Sequence, residues 1–313
     1  MTELIRKILS LPLVLLGLGA SSAGVEITQT SATGEIKGSL LVPDSNGVMP
    51  VALIISGSGP TDRDGNSKSV KNNSLLLLAN ELEKSNIASL RYDKRGIGAS
   101  RASGLSEKDL SFENYIADAK GWIEILSGDD RFSEVIVIGH SEGSLIGMVA
   151  AQKSKVSKFI SLAGPGKNAG EVLLEQLGAK PQEFRDLSVP IIEKLVRGET
   201  TDSIDPSLQT LFRPSVQPYL ISWFKYDPVE ELAKLVIPVL VVQGTTDIQV
   251  PVAHAELLAD SNSQADFILV NEMNHVLKHS VLNRSENIAT YNKPKLPNHP
   301  LLSQEIVKFL TAD

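Results

Sequence analysis

No cysteine occurs among the 313 residues of the chain. This absence excludes thiol nucleophiles, cysteine-ligated zinc, iron–sulfur clusters and disulfides. The chain also lacks a cluster of lysine and arginine, and its formal net charge is -7. Because clustered basic side chains are what bind a phosphate backbone, we do not expect nucleic acid as a partner. The acidic balance argues in the same way against anionic membranes.

Length and composition are those of an ordinary globular protein, with 42% hydrophobic and 21% charged residues. A chain of this size can bury the core of one large α/β domain and still carry an inserted subdomain. We find no internal repeat and no low-complexity linker. A repeat architecture is therefore not expected.

The N-terminal segment has the pattern of a secretory signal peptide. A basic pair at residues 6–7 precedes an apolar run over 8–18, and small residues follow as far as Ala23. This order predicts cleavage before Gly24, loss of residues 1–23, and export to the periplasm or the medium. The run is short for a membrane span, so no stable membrane association is expected after cleavage. An uncleaved anchor and a buried N-terminal helix are the alternatives.

Five apolar runs predict the buried strands of a parallel sheet. They show no polar alternation, as expected for strands covered on both faces, and they lie at residues 51–55, 135–138, 159–162, 239–242 and 267–270. Segments with apolar residues three and four apart predict helices between them, at residues 74–85, 112–126, 142–153, 252–261 and 301–311. This alternation favours right-handed βαβ crossovers and a mostly parallel, doubly wound sheet.

Two stretches depart from the alternation. Residues 25–31 and 34–42 alternate polar and β-branched side chains, which predicts an N-terminal antiparallel hairpin at the sheet edge. Residues 166–226 contain amphipathic segments and prolines but no strand-like run. We interpret them as a helical cap inserted over the edge where open α/β sheets bind ligands; ordinary packing helices are the alternative. The predicted organisation is a leader at 1–23, a first core part at 24–165, the cap at 166–226 and a second core part at 227–313.

The strongest chemical signal is Gly-His-Ser-Glu-Gly at residues 139–143. A Gly-x-Ser-x-Gly pattern alone is common by chance, but here a predicted buried strand leads directly into it and a predicted helix leads directly out. A serine on such a turn is strained, its hydroxyl is lifted above the sheet, and the helix N-terminus favours a developing oxyanion. This context predicts Ser141 as a nucleophile, with a purely structural turn as the alternative.

A nucleophilic serine needs a base, and the base needs a carboxylate. On this arrangement of strands the carboxylate comes next along the chain and the histidine last. His275 lies in the loop after the last predicted core strand, and His279 is the fallback. Asp247 follows a predicted strand through a glycine bend and is preferred over Asp227 and Asp266.

An oxyanion hole needs two converging N–H donors. One is predicted to be the backbone N–H of Glu142, directly after the nucleophile. The other is expected from the loop after the strand at 51–55, with Ser58 preferred and Gly57 as the alternative. Because this loop lacks the lysine and glycine spacing of a phosphate-binding motif, no nucleotide cofactor is expected.

Several segments together resemble the EstD-type bacterial carboxylesterases, in the serine aminopeptidase-like branch of the α/β-hydrolase superfamily. They are Gly-Ser-Gly-Pro-Thr-Asp-Arg-Asp-Gly-Asn at 57–66, Tyr-Asp-Lys-Arg-Gly-Ile-Gly-Ala-Ser at 92–100, the serine turn, and the Asp247 and His275 loops. The resemblance spans residues 51–280 and weakens within 166–226. It implies an α/β-hydrolase fold and a serine carboxylesterase for short- to medium-chain esters, with a small-molecule substrate and neither metal nor other cofactor.

The charged residues of two of these segments have a structural interpretation. Residues 62–64 (Asp-Arg-Asp) and 93–95 (Asp-Lys-Arg) are interpreted as forming ion pairs and turn hydrogen bonds beside the oxyanion loop, rather than a metal or phosphate site. For the acidic residue after the nucleophile, only the N–H is expected to matter, its charge being favoured by the helix dipole.

The triad alone does not select the acyl substrate. An aminopeptidase, a thioesterase and a lactonase could use the same three residues, and a non-catalytic binding protein on this scaffold is the rival from another class. An aminopeptidase would need an acidic group in the cap to hold the ammonium of its substrate. The available acids are Glu171, Glu175, Glu183 and Glu193.

Overall fold

The computed structural model describes residues 24–45, 47–178 and 180–312, so the predicted signal peptide lies outside the described residues. Within these ranges the strands are β1 (Val25–Ser31), β2 (Gly34–Leu41), β3 (Met49–Ile55), β4 (Ala88–Tyr92), β5 (Phe132–His140), β6 (Lys158–Leu162), β7 (Val239–Gly244) and β8 (Ala265–Val270). They form one sheet in the order β1-β2-β4-β3-β5-β6-β7-β8. The β1–β2 and β2–β4 pairs are antiparallel, and every pair from β4 to β8 is parallel. The predicted sheet with its N-terminal hairpin is therefore confirmed.

Strand β4 is not predicted by the apolar pattern. Ser89 and Arg91 interrupt its apolar residues, yet both are fully buried. A buried guanidinium requires a compensating partner, and Asp64, from the loop after β3, forms an ion pair with Arg91. Because this partner comes from elsewhere in the chain, a local hydrophobic pattern does not reveal the strand.

Helices cover both faces of the sheet and its carboxyl edge. They are α1 (Ser74–Lys84), α2 (Phe112–Ser127), α3 (Glu142–Ala151), α4 (Ala169–Leu177), α5 (Gln182–Val196), α6 (Gln209–Phe212), α7 (Gln217–Trp223), α8 (Pro228–Ala233), α9 (Val252–Asp260), α10 (Arg284–Ala289) and α11 (Pro300–Thr311). The five predicted helices correspond to α1, α2, α3, α9 and α11. No helix among the described residues has the length and apolar character needed to cross a membrane.

The core lies in two apolar layers, one on each face of the sheet. In the first layer Leu53 and Ile55 of β3 pack with side chains of α2 and α3, including the fully buried Trp122. In the second layer Ala52 and Ile54 pack against α1 and α11. Each large aliphatic side chain buried in this way contributes roughly 1.5–3 kcal/mol. The loops at the carboxyl edge of the sheet therefore start from firmly held strand ends.

Residues 166–226 carry α4 to α7, and the described part of this segment contributes no strand to the sheet. Ile192 and Phe212 are buried in an apolar cluster that belongs to the segment itself. Tyr219 and Trp223 pack both on this cluster and on the first core layer. The segment thus has a small core of its own and is joined to the sheet domain through aromatic side chains.

Candidate active site

Ser141 lies between the last residue of β5 and the first residue of α3. Its backbone has φ 55° and ψ -123°, a conformation that non-glycine residues rarely adopt and that stores strain. The flanking glycines permit the turn. A Cβ on Gly139 would lie 2.3 Å from the Gly143 carbonyl oxygen, and one on Gly143 would lie 2.4 Å from the Ile55 carbonyl oxygen. A larger residue at 143 would therefore push the serine turn off the end of β3, and one at 139 would distort the turn itself.

Asp247 and His275 lie together in the loops after β7 and β8. The His275 Nδ1 is 2.8 Å from the Asp247 Oδ2, and both side chains are buried. An ionised carboxylate only accepts, so Nδ1 carries the proton and donates it. In the neutral form of the ring the free nitrogen is then Nε2, which is the tautomer that a general base requires.

Backbone groups fix the Asp247 carboxylate. Its Oδ1 accepts hydrogen bonds from the N–H groups of Gln249 at 2.7 Å and Val250 at 3.0 Å, and the Gln243 amide donates to Oδ2 at 3.1 Å. Burial alone would raise the pKa of this carboxyl, but His275 and the two backbone donors hold the pKa below its usual range. Asp247 is therefore ionised at neutral pH, where a protonated His275 would need a negative partner.

His140 supports the loop that carries His275. Its Nε2 lies 2.8 Å from the backbone carbonyl oxygen of His275, and the two ring centroids are 4.9 Å apart. Burial, together with the neighbouring His275, lowers the pKa of His140 to about 4. At neutral pH the His140 ring is uncharged, so Nε2–H is the donor to the carbonyl and Nδ1 is unprotonated.

Two cavities meet at Ser141. The first, of about 250 Å³, is mainly apolar and lies under the cap; its lining includes Leu145, Val172, Leu173, Leu211 and Trp223. The second, of about 210 Å³, is lined mostly by polar residues and is called the polar cavity below; its lining includes Thr61, Ser67, Asn72, Tyr291 and His275. Ser141 and Ser58 line both cavities. A bound substrate could thus extend in two directions from the serine, with His275 on the polar side.

The two predicted oxyanion donors lie next to the serine. Glu142 begins α3 and lines the apolar cavity with Ser58. The loop after β3 runs directly against Ser141, since a Cβ on Gly57 would lie 3.1 Å from the Ser141 Cβ. The carbonyl of Gly57 accepts a hydrogen bond from the Lys94 ammonium at 2.5 Å. In a trans peptide the following N–H points the opposite way, so this contact turns the Ser58 N–H away from Lys94 and favours Ser58 over Gly57.

The competing candidates have other roles. The His279 side chain is 60% exposed and faces Glu272, 3.9 Å away. Asp227 is the N-cap of α8, where it accepts from the Val229 N–H at 2.9 Å. Asp266 lies within β8, paired in register with Leu240. Of the candidate acids and bases, the structure brings together only Asp247 and His275 beside the serine turn.

The charged segments form ion pairs, as the sequence indicates. Arg63 pairs with Asp93 at 2.9 Å, and Arg95 pairs with Asp118 at 2.5 Å. The partner of Lys94, however, is the Glu142 carboxylate at 2.9 Å. Sequence reasoning considered only the N–H of Glu142, and its buried side chain is a contact that this reasoning missed. The sequence signal for these ion pairs is that acidic and basic residues lie side by side in each segment. This signal does not identify Glu142 as the partner of Lys94.

Tyr219 and His140 are also contacts of the site that sequence reasoning did not assign. The Tyr219 hydroxyl donates to the Glu142 Oε1, which connects α7 of the cap to the serine turn. The cap acids lie elsewhere, because none of the four lines either cavity at Ser141. Glu175, for example, is held by Lys167 and by His254. Within residues 24–45, 47–178 and 180–312, no group of three or more His, Asp or Glu side chains is arranged to hold a metal ion.

The sheet order, the serine on its strand-to-helix turn and the adjacent acid–histidine pair define an α/β hydrolase. Solved structures agree. Est1E from Butyrivibrio proteoclasticus, in a structure with ferulic acid bound, has a TM-score of 0.60 and 16% identity over 88% of this chain and 94% of that chain. A thermophilic esterase from Thermogutta terrifontis has a TM-score of 0.56 and 18% identity over 91% of this chain and 97% of that chain. Likeness at such identities shows the fold alone.

Sequence relatives narrow the resemblance. The family model of the serine aminopeptidases, S33, matches residues 72–200. Esterase EstD from Thermotoga maritima is 28% identical over 255 residues, which cover 77% of this chain and 58% of that protein. A monoacylglycerol lipase from Mycolicibacterium smegmatis is 26% identical over 219 residues, which cover 62% of this chain and 71% of that protein. The chain thus matches less than two thirds of the length of EstD, and the expected resemblance to EstD-type esterases is confirmed.

Proposed function

We propose that this protein is a serine carboxylesterase that hydrolyses short- to medium-chain carboxylic esters through an acyl-enzyme on Ser141. The observation that carries the proposal is the His275–Asp247 hydrogen bond of 2.8 Å beside a serine held at φ 55°. The names of the relatives, an esterase and a monoacylglycerol lipase, support an ester substrate. The proposed reaction needs no cofactor.

In the proposed cycle the Nε2 of His275 takes the proton of Ser141 as the hydroxyl attacks the ester carbonyl. Asp247 stabilises the imidazolium that forms. The N–H groups of Glu142 and Ser58 stabilise the negative oxygen of the tetrahedral intermediate. As the intermediate collapses, His275 returns the proton to the leaving alcohol. Water, activated by the same histidine, then hydrolyses the acyl-enzyme.

The cavities suggest how the ester is oriented. The leaving alcohol receives its proton from His275, so it belongs on the polar side, and the acyl chain belongs in the apolar cavity under the cap. That cavity measures about 250 Å³, which is below the range of roughly 300–1,000 Å³ typical of sites for drug-sized ligands. This size supports short to medium acyl groups over long ones.

The aminopeptidase alternative lacks a specific observation in its favour. Glu142 is the acidic residue among those lining the apolar cavity, and its charge is already paired with Lys94. A substrate ammonium would therefore meet no unpaired carboxylate there. Lys167 also lines this cavity, and its ammonium is paired with Glu175, so it offers no site for a second cation.

The proposal is tested with aryl esters of acetate, butyrate, octanoate and palmitate, alongside aminoacyl aryl amides and thioesters. We expect butyrate or octanoate to react fastest, and Ser141→Ala to abolish hydrolysis and labelling by a fluorophosphonate. Ser144→Ala is the matched control. The hydroxyl of Ser144 contacts Ser161 at 2.7 Å and takes no part in the proposed reaction, so this variant should keep its activity. Substantial activity of Ser141→Ala, or faster cleavage of the amides, would overturn the proposal.

Export also remains a proposal, supported by the pattern of residues 1–23. Expression of the full chain in a bacterium, followed by fractionation and N-terminal sequencing, tests it. We expect the protein in the periplasm or medium with Gly24 at its N-terminus. Recovery from the cytoplasm with Met1 retained would contradict export.

A further inference from the structure

A buried ammonium lies behind the proposed oxyanion hole. Lys94 follows β4, and its side chain is 1% exposed, as is that of Glu142. The Nζ atom lies 2.9 Å from Glu142 Oε2, 2.5 Å from the Gly57 carbonyl oxygen and 5.1 Å from the centre of the Tyr115 ring. Each of these contacts suits a desolvated cation.

The contacts of Lys94 connect the two segments that would supply the oxyanion donors. Glu142 provides one N–H, and its own carboxylate is fixed by the ammonium. Gly57 shares a peptide group with the second donor, Ser58. Because the C=O and N–H of a trans peptide point in opposite directions, binding the Gly57 oxygen from the buried side turns the Ser58 N–H toward the cavity that this residue lines.

The same carboxylate is contacted from the cap. The Tyr219 hydroxyl donates to Glu142 Oε1, while Lys94 binds Oε2. Burial, with the nearby Glu142 charge, raises the pKa of Tyr219 well above 10, so its hydroxyl is protonated and remains a donor. Through this bond α7 of the cap contacts the residue that begins α3.

Stability alone does not account for the ion pair. Removing two charges from water costs about as much as their attraction returns, and replacing a buried pair with apolar side chains is often neutral or stabilising. A role in geometry is better supported, because the ammonium contacts both donor-bearing segments at once. The neighbouring pair Arg95–Asp118 is also buried, but its further contact is to Thr33 in the N-terminal hairpin.

We propose that Lys94 is a positioning residue, which sets the oxyanion hole by binding the Gly57 carbonyl and the Glu142 carboxylate together, and that Tyr219 makes this geometry sensitive to the cap. The inference rests on the proposed esterase function. It assigns to one buried lysine the alignment of two N–H donors that are far apart in the sequence.

The test compares Lys94→Met with Arg95→Met, a matched loss of one cation from a buried pair. For an aryl butyrate we expect Lys94→Met to lower kcat on the order of 100-fold, the loss typical of one oxyanion donor, with KM changed by less than about 3-fold. Affinity for an alkyl trifluoromethyl ketone, whose adduct with serine carries the oxyanion, should fall by a similar factor to kcat. Arg95→Met should lower thermal stability and leave kcat and ketone affinity within about 3-fold.

A double variant separates positioning from charge balance. Lys94→Met with Glu142→Gln removes both charges, so it should recover stability lost by Lys94→Met, while kcat stays low because the Gly57 carbonyl is still released. This double variant also serves if Lys94→Met alone does not fold. Tyr219→Phe, which removes only the cap contact, should lower kcat by roughly 3- to 10-fold, as expected for one hydrogen bond.

The outcomes distinguish the two proposals. If the parent protein neither hydrolyses esters nor binds the ketone, the proposed function is wrong. If the parent is active but Lys94→Met matches Arg95→Met in kcat and ketone affinity, the positioning role is wrong and the esterase function stands. Recovery of kcat in the double variant would likewise overturn positioning, since charge balance would then explain the loss.

Discussion

The two cavities that meet at Ser141 are built in different ways. The polar cavity is formed by loops after the core strands and by His275, whose partner Asp247 is held by backbone hydrogen bonds. The apolar cavity is closed largely by side chains of α4, α6 and α7 in the cap. On one side, therefore, geometry is fixed by main-chain donors on firmly packed strand ends; on the other, it depends on which apolar side chains a set of helices presents.

Because of this difference, a substitution can change one cavity without changing the other. A change in a cap side chain alters the shape of the apolar cavity without moving the loops that carry Asp247 and His275. A change in those loops disturbs the chemistry whatever the substrate. Substitutions on the two sides should therefore affect different measured quantities, and the following predictions are ordered by the size of that effect.

The largest effect is expected for Asp247→Asn. The amide removes the negative partner of His275 and favours the wrong imidazole tautomer, so kcat on an aryl butyrate should fall by about 10⁴-fold. Asp227→Asn is the control, because it changes only the N-cap of α8 and should retain activity. A loss of less than about 10-fold in Asp247→Asn would mean that the acid of the triad has been misassigned.

A smaller effect, on stability, is expected from His140 on the polar side. Its pKa is about 4 in the folded protein and 6.5 in the unfolded chain, so between these values the unfolded chain binds more protons. The free energy of unfolding should therefore fall as the pH drops from 6.5 to 4, by about 3 kcal/mol from this group. Urea denaturation at several pH values should show that the free energy of unfolding falls less steeply toward acid pH in His140→Gln than in the parent. The same pH dependence in both proteins would refute this prediction.

The cap side is probed by Leu173→Trp, which places a larger ring in the apolar cavity. The ratio of kcat/KM for octanoyl over acetyl aryl esters should fall by roughly 10- to 100-fold, since one methylene in an apolar pocket is worth about 1–3 kcal/mol. The neighbouring Leu174 is 36% exposed and lies outside the cavity lining, so Leu174→Trp is the control. Equal ratios in the two variants would show that the acyl chain does not bind in this cavity.

The smallest effect is expected for Tyr291→Phe, which takes one hydroxyl from the polar cavity. This hydroxyl accepts a hydrogen bond from Gln249 at 3.1 Å. The preference for a glyceryl ester over the ethyl ester of the same acid should fall by roughly 3- to 10-fold, the cost of one hydrogen bond. If Leu173→Trp changed this preference as strongly, the placement of the alcohol group in the polar cavity and of the acyl chain in the apolar cavity would be wrong.

Much of the polar side follows from the order of residues along the chain. Ser141, Asp247 and His275 each lie in the loop or turn that follows a strand, and parallel strands end at one edge, so their proximity can be predicted. The Lys94–Glu142 pair could not, because the two residues are 48 positions apart and their contact depends on tertiary packing. Strand β4 was missed for a related reason, since the partner of its buried arginine lies in another loop.

The cap shows the opposite limit of sequence reasoning. Amphipathic spacing indicates helices over residues 166–226, and the structure has them. The spacing does not say which of Leu173 and Leu174 faces the cavity, because that depends on the angle at which α4 lies on the core. The selectivity of the site is set by such angles, so its substrate is predicted less well than its chemistry.

The backbone conformation of Ser141 has a consequence for the stability of the folded protein. A non-glycine residue at φ 55° and ψ -123° costs of order 1–3 kcal/mol, and glycine would relieve that cost. Ser141→Gly should therefore melt at a higher temperature than the parent, whereas Ser141→Ala should keep the strain. Under the proposed function, the chain would be more stable without its nucleophile, so activity and thermal stability would conflict directly at this one position.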